Sequence, residues 1–337
     1  MTATRREAGA AAIVGLGRTG LSSARWLTAR GWRVSVTDSR AEPPELPGLR
    51  ELDASIPVAL GGLDARVLDG ASLVVASPGV ALSEPIFAEA RRRGLEIVGD
   101  IELFAREAAA PVVGITGTNG KSTVTTLLGR MAERAGIRVR VGGNLGEPAL
   151  DLLPPPATDA SAPAPEPAPD LYVLELSSFQ LEATDTLHLR AATVLNVTAD
   201  HLDRYPSLEA YAAAKARIYA RCDTAVVNLD DPLVRGMPHA AQRTLAFSLR
   251  ADAGADFAVA QRAEASGERW LMRREEPLLP LGALKITGLH NAANALAALA
   301  LGEALELPMP SMLTELAAFP GSRTARNGSP RSTASPT

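Results

Sequence analysis

Pro111-Val-Val-Gly114-Ile-Thr-Gly117-Thr118-Asn119-Gly120-Lys121-Ser122-Thr123 constrains this chain more than any other stretch. An apolar run ends in a glycine-rich turn, and a helical pattern starts at the lysine. Strand, turn and helix in that order leave a row of backbone N–H groups and the positive end of a helix facing one point. That is the layout of a phosphate-binding loop. Lys121 supplies a mobile charge, and Ser122 offers a hydroxyl to a magnesium ion. The spacing is not the usual one. Counting back from Lys121, the first glycine would fall at Ile115, whereas glycines stand at Gly114, Gly117 and Gly120. A glycine-rich turn before an ordinary helix is the plain alternative.

At 337 residues the chain has room for two domains, each with its own core. It is 46% hydrophobic and 21% charged with a net charge of -4, which gives no sign of a nucleic-acid surface. Cys222 is the one cysteine, which rules out an intrachain disulfide and suits a reducing cytoplasm. Met1 to Ala10 is polar, so no secretory signal is expected, and no apolar run reaches the length of a membrane helix. The basic residues comprise 31 arginines and three lysines, Lys121, Lys215 and Lys285. A position that stays lysine in such a chain points to a task arginine cannot perform: a compact charge, or a change of protonation or covalent state.

Ala11-Ala-Ile-Val-Gly15-Leu-Gly17-Arg18-Thr19-Gly20 reads as a buried strand, a GxGxxG turn and the start of a helix running to about Arg30. Trp32 to Asp38 reads as a second strand ending in an acid 18 residues past Gly20, near the dinucleotide-binding spacing. Those glycines serve any tight strand-to-helix crossover, and Asp38 fits a solvated strand end equally well. Ser72 to Ala76 is a buried strand running into Ser77-Pro78-Gly79, a turn placed where open α/β sheets bind ligands. A helix over 84–93 and a strand over 95–100 follow, and a domain boundary is expected near residue 100. The second domain, 100–320, opens with the phosphate loop and a helix to about Ala135. A strand over 137–141 and the turn Gly142-Gly143-Asn144 come next. The Pro/Ala-rich segment 154–169 reads as a disordered insertion.

Leu171 to Leu176 is a buried strand carrying Glu175 near its end, and a buried acid asks for a metal or a partner. The strand over 191–197 empties into Thr198-Ala-Asp200-His201-Leu-Asp203-Arg204-Tyr205-Pro206. A helix capped by Ser207 then carries Lys215. Taken alone, His201 reads as a structural histidine and Lys215 as a solvated one. Their value comes from following a strand beside the one bearing Glu175. Residues 244–287 read as shorter strands. Asn291 and Asn294 share one side of the first turn of a buried helix.

Together these residues resemble the Mur ligases, and among them those that join D-glutamate to UDP-N-acetylmuramoyl-L-alanine. The resemblance rests on Gly114 to Leu127, Leu174 to Glu182, Leu195 to Pro206, Leu289 to Asn294, Gly99 to Phe104 and Ser77 to Val80, and spans about 11–321. It implies a Rossmann-like doubly wound domain over 1–99 for the UDP substrate and a P-loop-type α/β ATPase domain over 100–320. It also implies ATP-driven acyl-phosphate formation, then attack by the amine of D-glutamate. Under the resemblance Gly117, Thr118, Asn119, Gly120, Lys121, Ser122, Thr123, Asn291 and Asn294 bind ATP. Lys121, Glu175, His201 and Lys215 carry the catalysis. Ser122 and Glu175 hold one magnesium ion, and Glu175, His201 and Lys215 surround a second, with Lys215 carbamylated. Arg18 and Thr19 meet the diphosphate, while Asp38, Ser39, Arg40 and Ser77, Pro78 and Gly79 meet the uridine end. Asn144 and His201 touch the sugar-peptide. A cytoplasmic monomer that binds neither nucleic acid nor membrane is implied.

The family continues with a third, C-terminal domain, which is expected to be missing here. Residues 321–337 read as a disordered tail unlike the family. Read two bases along under one choice of codons, 323–335 resembles the family's continuation, so a frameshifted tail is expected; impaired ligation is expected because the third domain, which orients D-glutamate, is expected to be missing. Two other readings stay open: an inactive UDP-sugar or nucleotide-binding remnant, and a nicotinamide-dependent dehydrogenase built on the first GxGxxG.

Overall fold

The computed structural model describes residues 9–155, 167–261 and 267–321. Most of the insertion expected at 154–169, and all but the first residue of the tail expected at 321–337, lie outside the described residues.

The first sheet comprises β1 (Ala10–Val14), β2 (Arg33–Asp38), β3 (Val58–Leu60), β4 (Leu73–Ala76) and β5 (Glu96–Gly99). Its order is β3-β2-β1-β4-β5, with every pairing parallel. Helices α1 (Arg18–Ala29), α2 (Leu46–Leu52) and α3 (Pro85–Arg92) cover it, and α4 (Asp100–Glu107) leaves it. Because both faces are covered, β1 and β4 are continuous apolar runs rather than alternating ones. The strand order reverses between β1 and β4. The Gly15–Gly17 turn and the Ser77–Gly79 turn therefore face each other, and the Ser77 hydroxyl donates to the Gly15 carbonyl at 2.6 Å.

The second sheet takes β6 (Val112–Thr116), β7 (Val139–Gly143), β8 (Leu171–Glu175), β9 (Leu189–Val194), β10 (Cys222–Asn228), β11 (Arg243–Ser248), β12 (Phe257–Gln261), β13 (Arg269–Arg273) and β14 (Glu276–Pro280). They run β14-β13-β12-β11-β10-β9-β6-β8-β7, parallel from β7 to β12 and antiparallel beyond. Helix α5 (Lys121–Arg134) follows β6. Helices α6 (Ser178–Glu182), α7 (Leu208–Ala216), α8 (Pro232–Arg235), α9 (Leu289–Ala304) and α10 (Met309–Ala318) complete the layers. Alanine and leucine fill α9 from Ala295 to Leu301, and all of these are buried. Small side chains on that helix let it lie against α5 and the sheet together.

Several boundaries differ from the sequence reading; the strand read as 191–197 is Leu189–Val194, and two others bear on the site. The strand expected to stop at Val141 continues through Gly142 and Gly143. A Cβ at Gly142 would lie 2.4 Å from the Glu147 carbonyl oxygen, and one at Gly143 would lie 2.4 Å from that of Glu175. These glycines admit neighbouring backbone to a strand rather than making a turn. Asp100, read as the last strand residue, instead opens α4.

The two sheets share apolar packing. One continuous cluster takes in Leu27 and Leu49 from the first, Phe104 from α4, and Leu150, Tyr172 and Leu174 from the second. The Phe104 and Tyr172 rings meet edge-on at 5.0 Å. Glu102 on α4 is buried and accepts the Asp185 and Thr186 N–H groups and the Thr186 hydroxyl at 2.7–2.9 Å. The connecting helix is thus bonded to the second sheet's loops.

A Cβ at Gly20 would stand 2.1 Å from the Gly15 carbonyl oxygen, a backbone atom with no room to move. Gly20→Ala is expected to cost about 1–3 kcal/mol of stability in urea unfolding, the range for overpacking a tight contact. Gly62→Ala, whose Cβ meets nothing within 4 Å, serves as the near-neutral control.

Candidate functional site

Helix α5 begins at Lys121 because Gly120 turns the chain there with φ of +85°. A Cβ at Gly120 would also fall 2.3 Å from the Asn294 side-chain oxygen, so the position excludes side chains twice over. The loop is tied to the segment after β9. The Asn119 N–H donates to the Asn196 side-chain oxygen at 2.8 Å, and the Asn196 amide returns a bond to the Asn119 carbonyl at 3.0 Å. The Thr198 N–H donates to the Thr118 hydroxyl oxygen at 3.0 Å.

Two ammonium groups converge inside this loop. Lys121 Nζ donates to the carbonyls of Gly117 and Thr118, each at 2.9 Å. Lys215 Nζ reaches the same Gly117 carbonyl at 2.9 Å and lies 4.4 Å from the Tyr211 ring centroid. Burial lowers the pKa of both lysines. Lys215 is pushed down to about 7, first by desolvation and then by the neighbouring Lys121 charge.

Glu175 stands at the C-terminal end of β8, 3% exposed. Ser122 Oγ donates to its Oε2 and Asn144 Nδ2 to its Oε1, both at 2.7 Å. Those two donors belong to different walls: Ser122 to the phosphate loop, Asn144 to an interdomain cavity of about 510 Å³. The cavity is lined from the first sheet by Gly15, Gly17, Arg18, Thr19, Asp38, Ser39, Arg40, Ser77, Pro78 and Gly79. Gly143, Asn144, Gly146 and Gln180 line it from the second. Every residue assigned to the UDP substrate by resemblance is therefore gathered there except His201. A second cavity of about 450 Å³ is lined by Asn119, Gly120, Thr123, Asn291 and Asn294 of the expected nucleotide set. Sequence reasoning missed its other walls, Asn196, Asn228, Phe247, Thr287 and His290. For Asn196 and Asn228 the signal was present, since each is a polar side chain at or just past the end of a buried strand.

His201 lines neither cavity. It has φ of +54°, pairs with Asp200 at 3.7 Å, and its ring centroid lies 5.0 Å from Phe179 and 6.1 Å from Tyr211. It meets the Lys215 region through the Tyr211 ring rather than directly.

In the first sheet, Asp38 holds the glycine turn. Its carboxylate accepts the Leu16 N–H at 2.6 Å and a fork from Arg40, Nε at 2.8 Å and Nη2 at 2.7 Å. Burial pushes this carboxyl upward, but the Arg40 and Leu16 bonds outweigh it and set it at about 2. With both oxygens occupied, it is already committed where a dinucleotide reading needs it free for a ribose hydroxyl. Arg18 extends across the cavity and donates to the Gly146 carbonyl at 2.6 Å.

Among the described residues no group of three or more His, Cys, Asp or Glu is placed to hold a metal ion. The Ser122 hydroxyl and the Glu175 carboxylate are nonetheless hard oxygen donors side by side. Magnesium is ordinarily held by one or two carboxylates together with substrate phosphates and water, so these donors fit it.

The chain matches the Mur ligase middle domain over residues 115–302. It belongs to the Mur ligase family. Residues 9–99 match the Mur ligase MurD-like N-terminal domain. The UDP-N-acetylmuramoylalanine–D-glutamate ligase of Nitrosococcus oceani is 53% identical over 309 residues, 92% of this chain and 65% of that protein. Its counterpart in Salmonella typhimurium is 49% identical over 310 residues, 92% of this chain and 66% of that protein. The chain thus spans slightly under two thirds of the length of these curated relatives. Among solved structures, a UDP-N-acetylmuramate:L-alanyl-gamma-D-glutamyl-meso-diaminopimelate ligase from Neisseria meningitides superposes with a TM-score of 0.63. Identity there is 20%, and 93% of this chain and 98% of that one are covered. The UDP-N-acetylmuramate-alanine ligase of Thermotoga maritima gives 0.57 at 23% identity, covering 93% and 69%. Both similarities bear on the fold. No helix among the described residues is long and apolar enough to cross a membrane.

Gln180, in the wall of the interdomain cavity, donates its amide to Asp100 Oδ2 at 3.0 Å. Burial raises the Asp100 carboxyl from 3.8 to about 6. The folded state therefore holds this proton more tightly than the unfolded one. Its contribution to stability is complete below about pH 4 and is lost as pH rises through 6. Asp100→Asn is expected to flatten that segment of a melting-temperature-against-pH curve, gaining on the parent above pH 6 and not below pH 4.

Proposed function

We propose that this chain acts in the ADP-forming ligation of D-glutamate to UDP-N-acetylmuramoyl-L-alanine, a step of peptidoglycan precursor synthesis, through an acyl phosphate. The observation that carries the reading is Glu175, whose two oxygens join the phosphate loop to the interdomain cavity through Ser122 and Asn144. A reaction that transfers a phosphoryl group from a nucleotide to a second bound anion needs two adjoining, aligned sites, and a carboxylate at their junction is placed to hold a metal ion between them. The sequence similarity to the D-glutamate ligases supports the choice of substrates.

In this proposal ATP lies with its adenosine in the cavity of Asn291 and Asn294 and its phosphates on Gly117 to Thr123. Lys121 leaves the Gly117 and Thr118 carbonyls to meet the terminal phosphates. The UDP moiety takes the cavity of Arg18, Thr19, Asp38, Ser39, Arg40 and Ser77 to Gly79, and the muramoyl-alanine extends past Asn144 toward Glu175. A carboxylate oxygen of the alanine attacks the γ-phosphorus, and the bond to ADP breaks. The amine of D-glutamate then attacks the acyl carbonyl, and inorganic phosphate departs while the amine loses its proton. The loop's contribution is to neutralise and align groups that repel one another.

Ser122 and Glu175 would hold a magnesium ion; a second, at Glu175 and a carbamylated Lys215, would include His201 only if its ring left its packing on Phe179 and Tyr211. Bound there, magnesium supplies charge neutralisation for the phosphates. Lys215 is suited to carbamylation because its amine is buried against Tyr211 and Gly117 and, among the described residues, no carboxylate is bonded to it. Arginine cannot carry that modification. Protein equilibrated with ¹³C-bicarbonate is expected to show a carbamate carbonyl resonance that is lost in Lys215→Arg; an unchanged spectrum removes the carbamate from the proposal. A cytoplasmic, monomeric protein accompanies the reading.

The deciding measurement is ADP release from ATP with UDP-N-acetylmuramoyl-L-alanine and D-glutamate supplied singly and together. Release that requires both, at the impaired rate expected of this chain, is the predicted result, falling by at least about 100-fold in Lys121→Ala, the scale for removing one preorganised charge-stabilising group. Binding of UDP-N-acetylmuramoyl-L-alanine without any ADP release, with or without D-glutamate, would leave a UDP-sugar-binding protein instead.

A further inference from the structure

Arg204 lies in the turn after His201, with its N–H donating to the His201 carbonyl at 2.9 Å. Its guanidinium carbon is 4.2 Å from the centroid of the Phe179 ring, so the side chain lies over an aromatic face. That ring also stacks on Tyr205 at 5.7 Å with 6° between planes, which holds the platform. From there Arg204 Nη1 crosses to the first sheet's turn and approaches the Gly79 carbonyl at 3.4 Å. Gly79 and Gln180, the residue after Phe179, both line the interdomain cavity.

The position is unusual in what it leaves free. An arginine presents five N–H donors in a rigid fork, and a guanidinium laid flat on an aromatic ring keeps its edge available. Arg40, in the same cavity wall, spends its fork on Asp38. Among the described residues Arg204 makes no ion pair, and the long bond to Gly79 is its one side-chain hydrogen bond. A stacked, charged, largely unspent fork at the seam between a cavity and the His201 loop has the geometry for bidentate recognition of phosphate or carboxylate.

We propose that Arg204, held on Phe179, is a specificity-determining anion-binding residue of the interdomain cavity, taking a phosphate or carboxylate group of the UDP-linked ligand. The inference rests on the assignment of that cavity to a UDP-linked substrate and adds a residue to it. It also accounts for a polar side chain that the assignment by resemblance left without a task. The ring platform removes much of the entropy cost that a free arginine meets on ordering.

The test measures calorimetric affinity of the full chain for UDP-N-acetylglucosamine, which has no carboxylate, and for UDP-N-acetylmuramoyl-L-alanine. Wild type, Arg204→Lys and Arg204→Gln are compared. Arg204→Gln is expected to weaken UDP-N-acetylmuramoyl-L-alanine by about tenfold or more, the scale of one charge-assisted pair. Arg204→Lys is expected to recover part of the loss, because it keeps the charge but not the fork. ADP affinity, read in the same preparations, stays within twofold of wild type. A merely structural role for the turn beside the phosphate loop would move it as well. Loss confined to the muramoyl ligand identifies the carboxylate, and equal loss for both UDP ligands identifies the diphosphate. Unchanged affinity of Arg204→Gln for both ligands, with wild type binding them, overturns this inference alone. Failure of wild type to bind either UDP ligand overturns the cavity's assignment and this inference with it.

Discussion

The carboxylate of Glu175 is the constraint on which the site depends. It is buried at a strand end, so its oxygens need partners, and it finds one in the phosphate loop and one in the wall of the interdomain cavity. Ser122 is placed by the first turn of α5 and Asn144 by the glycine-rich end of β7. The two glycines before Asn144 matter because side chains there would strike the Glu147 and Glu175 carbonyls. Backbone proximity at β7 and β8 thus sets where the acid points, and the acid in turn sets how the phosphate loop addresses the cavity.

Charge inside the loop is arranged the opposite way. Two ammonium groups share one backbone carbonyl at Gly117, an arrangement that burial and mutual repulsion both oppose. Such a pair is most favourable when an anion lies between or beside the two. Two closely placed amines beside backbone N–H groups suit an anionic ligand, which agrees with the polyphosphate proposed for the site. The first sheet handles its own charge differently: Asp38 and Arg40 satisfy each other and hold the turn from Gly15 to Gly17 rigid before any ligand arrives.

Much of this was legible in the chain itself. A parallel α/β order follows from apolar strands alternating with helical periods, and the phosphate loop from its glycines and lysine. The substrate-wall residues converge because turns at a strand-order reversal face one another, which the motif spacing encodes. The end of β7 was not legible, since glycines signal a turn by propensity and only the approach of another backbone reveals a strand. His201 was drawn into the ligand set by its motif. Its left-handed backbone and its packing on Phe179 and Tyr211, however, are tertiary facts. Phe247 reaches the second cavity from β11, and no local pattern announces a pairing that distant.

The scarcity of lysine has a practical consequence. Beyond the N-terminal amine, an amine-selective acylating reagent has one exposed side chain to modify in this protein, Lys285. The other two amines point at the Gly117 carbonyl from inside the loop. Lys215 is buried whereas Lys121 is partly exposed, so labelling at Lys215 is the gauge of how often that loop opens to solvent, with no background from the surface arginines.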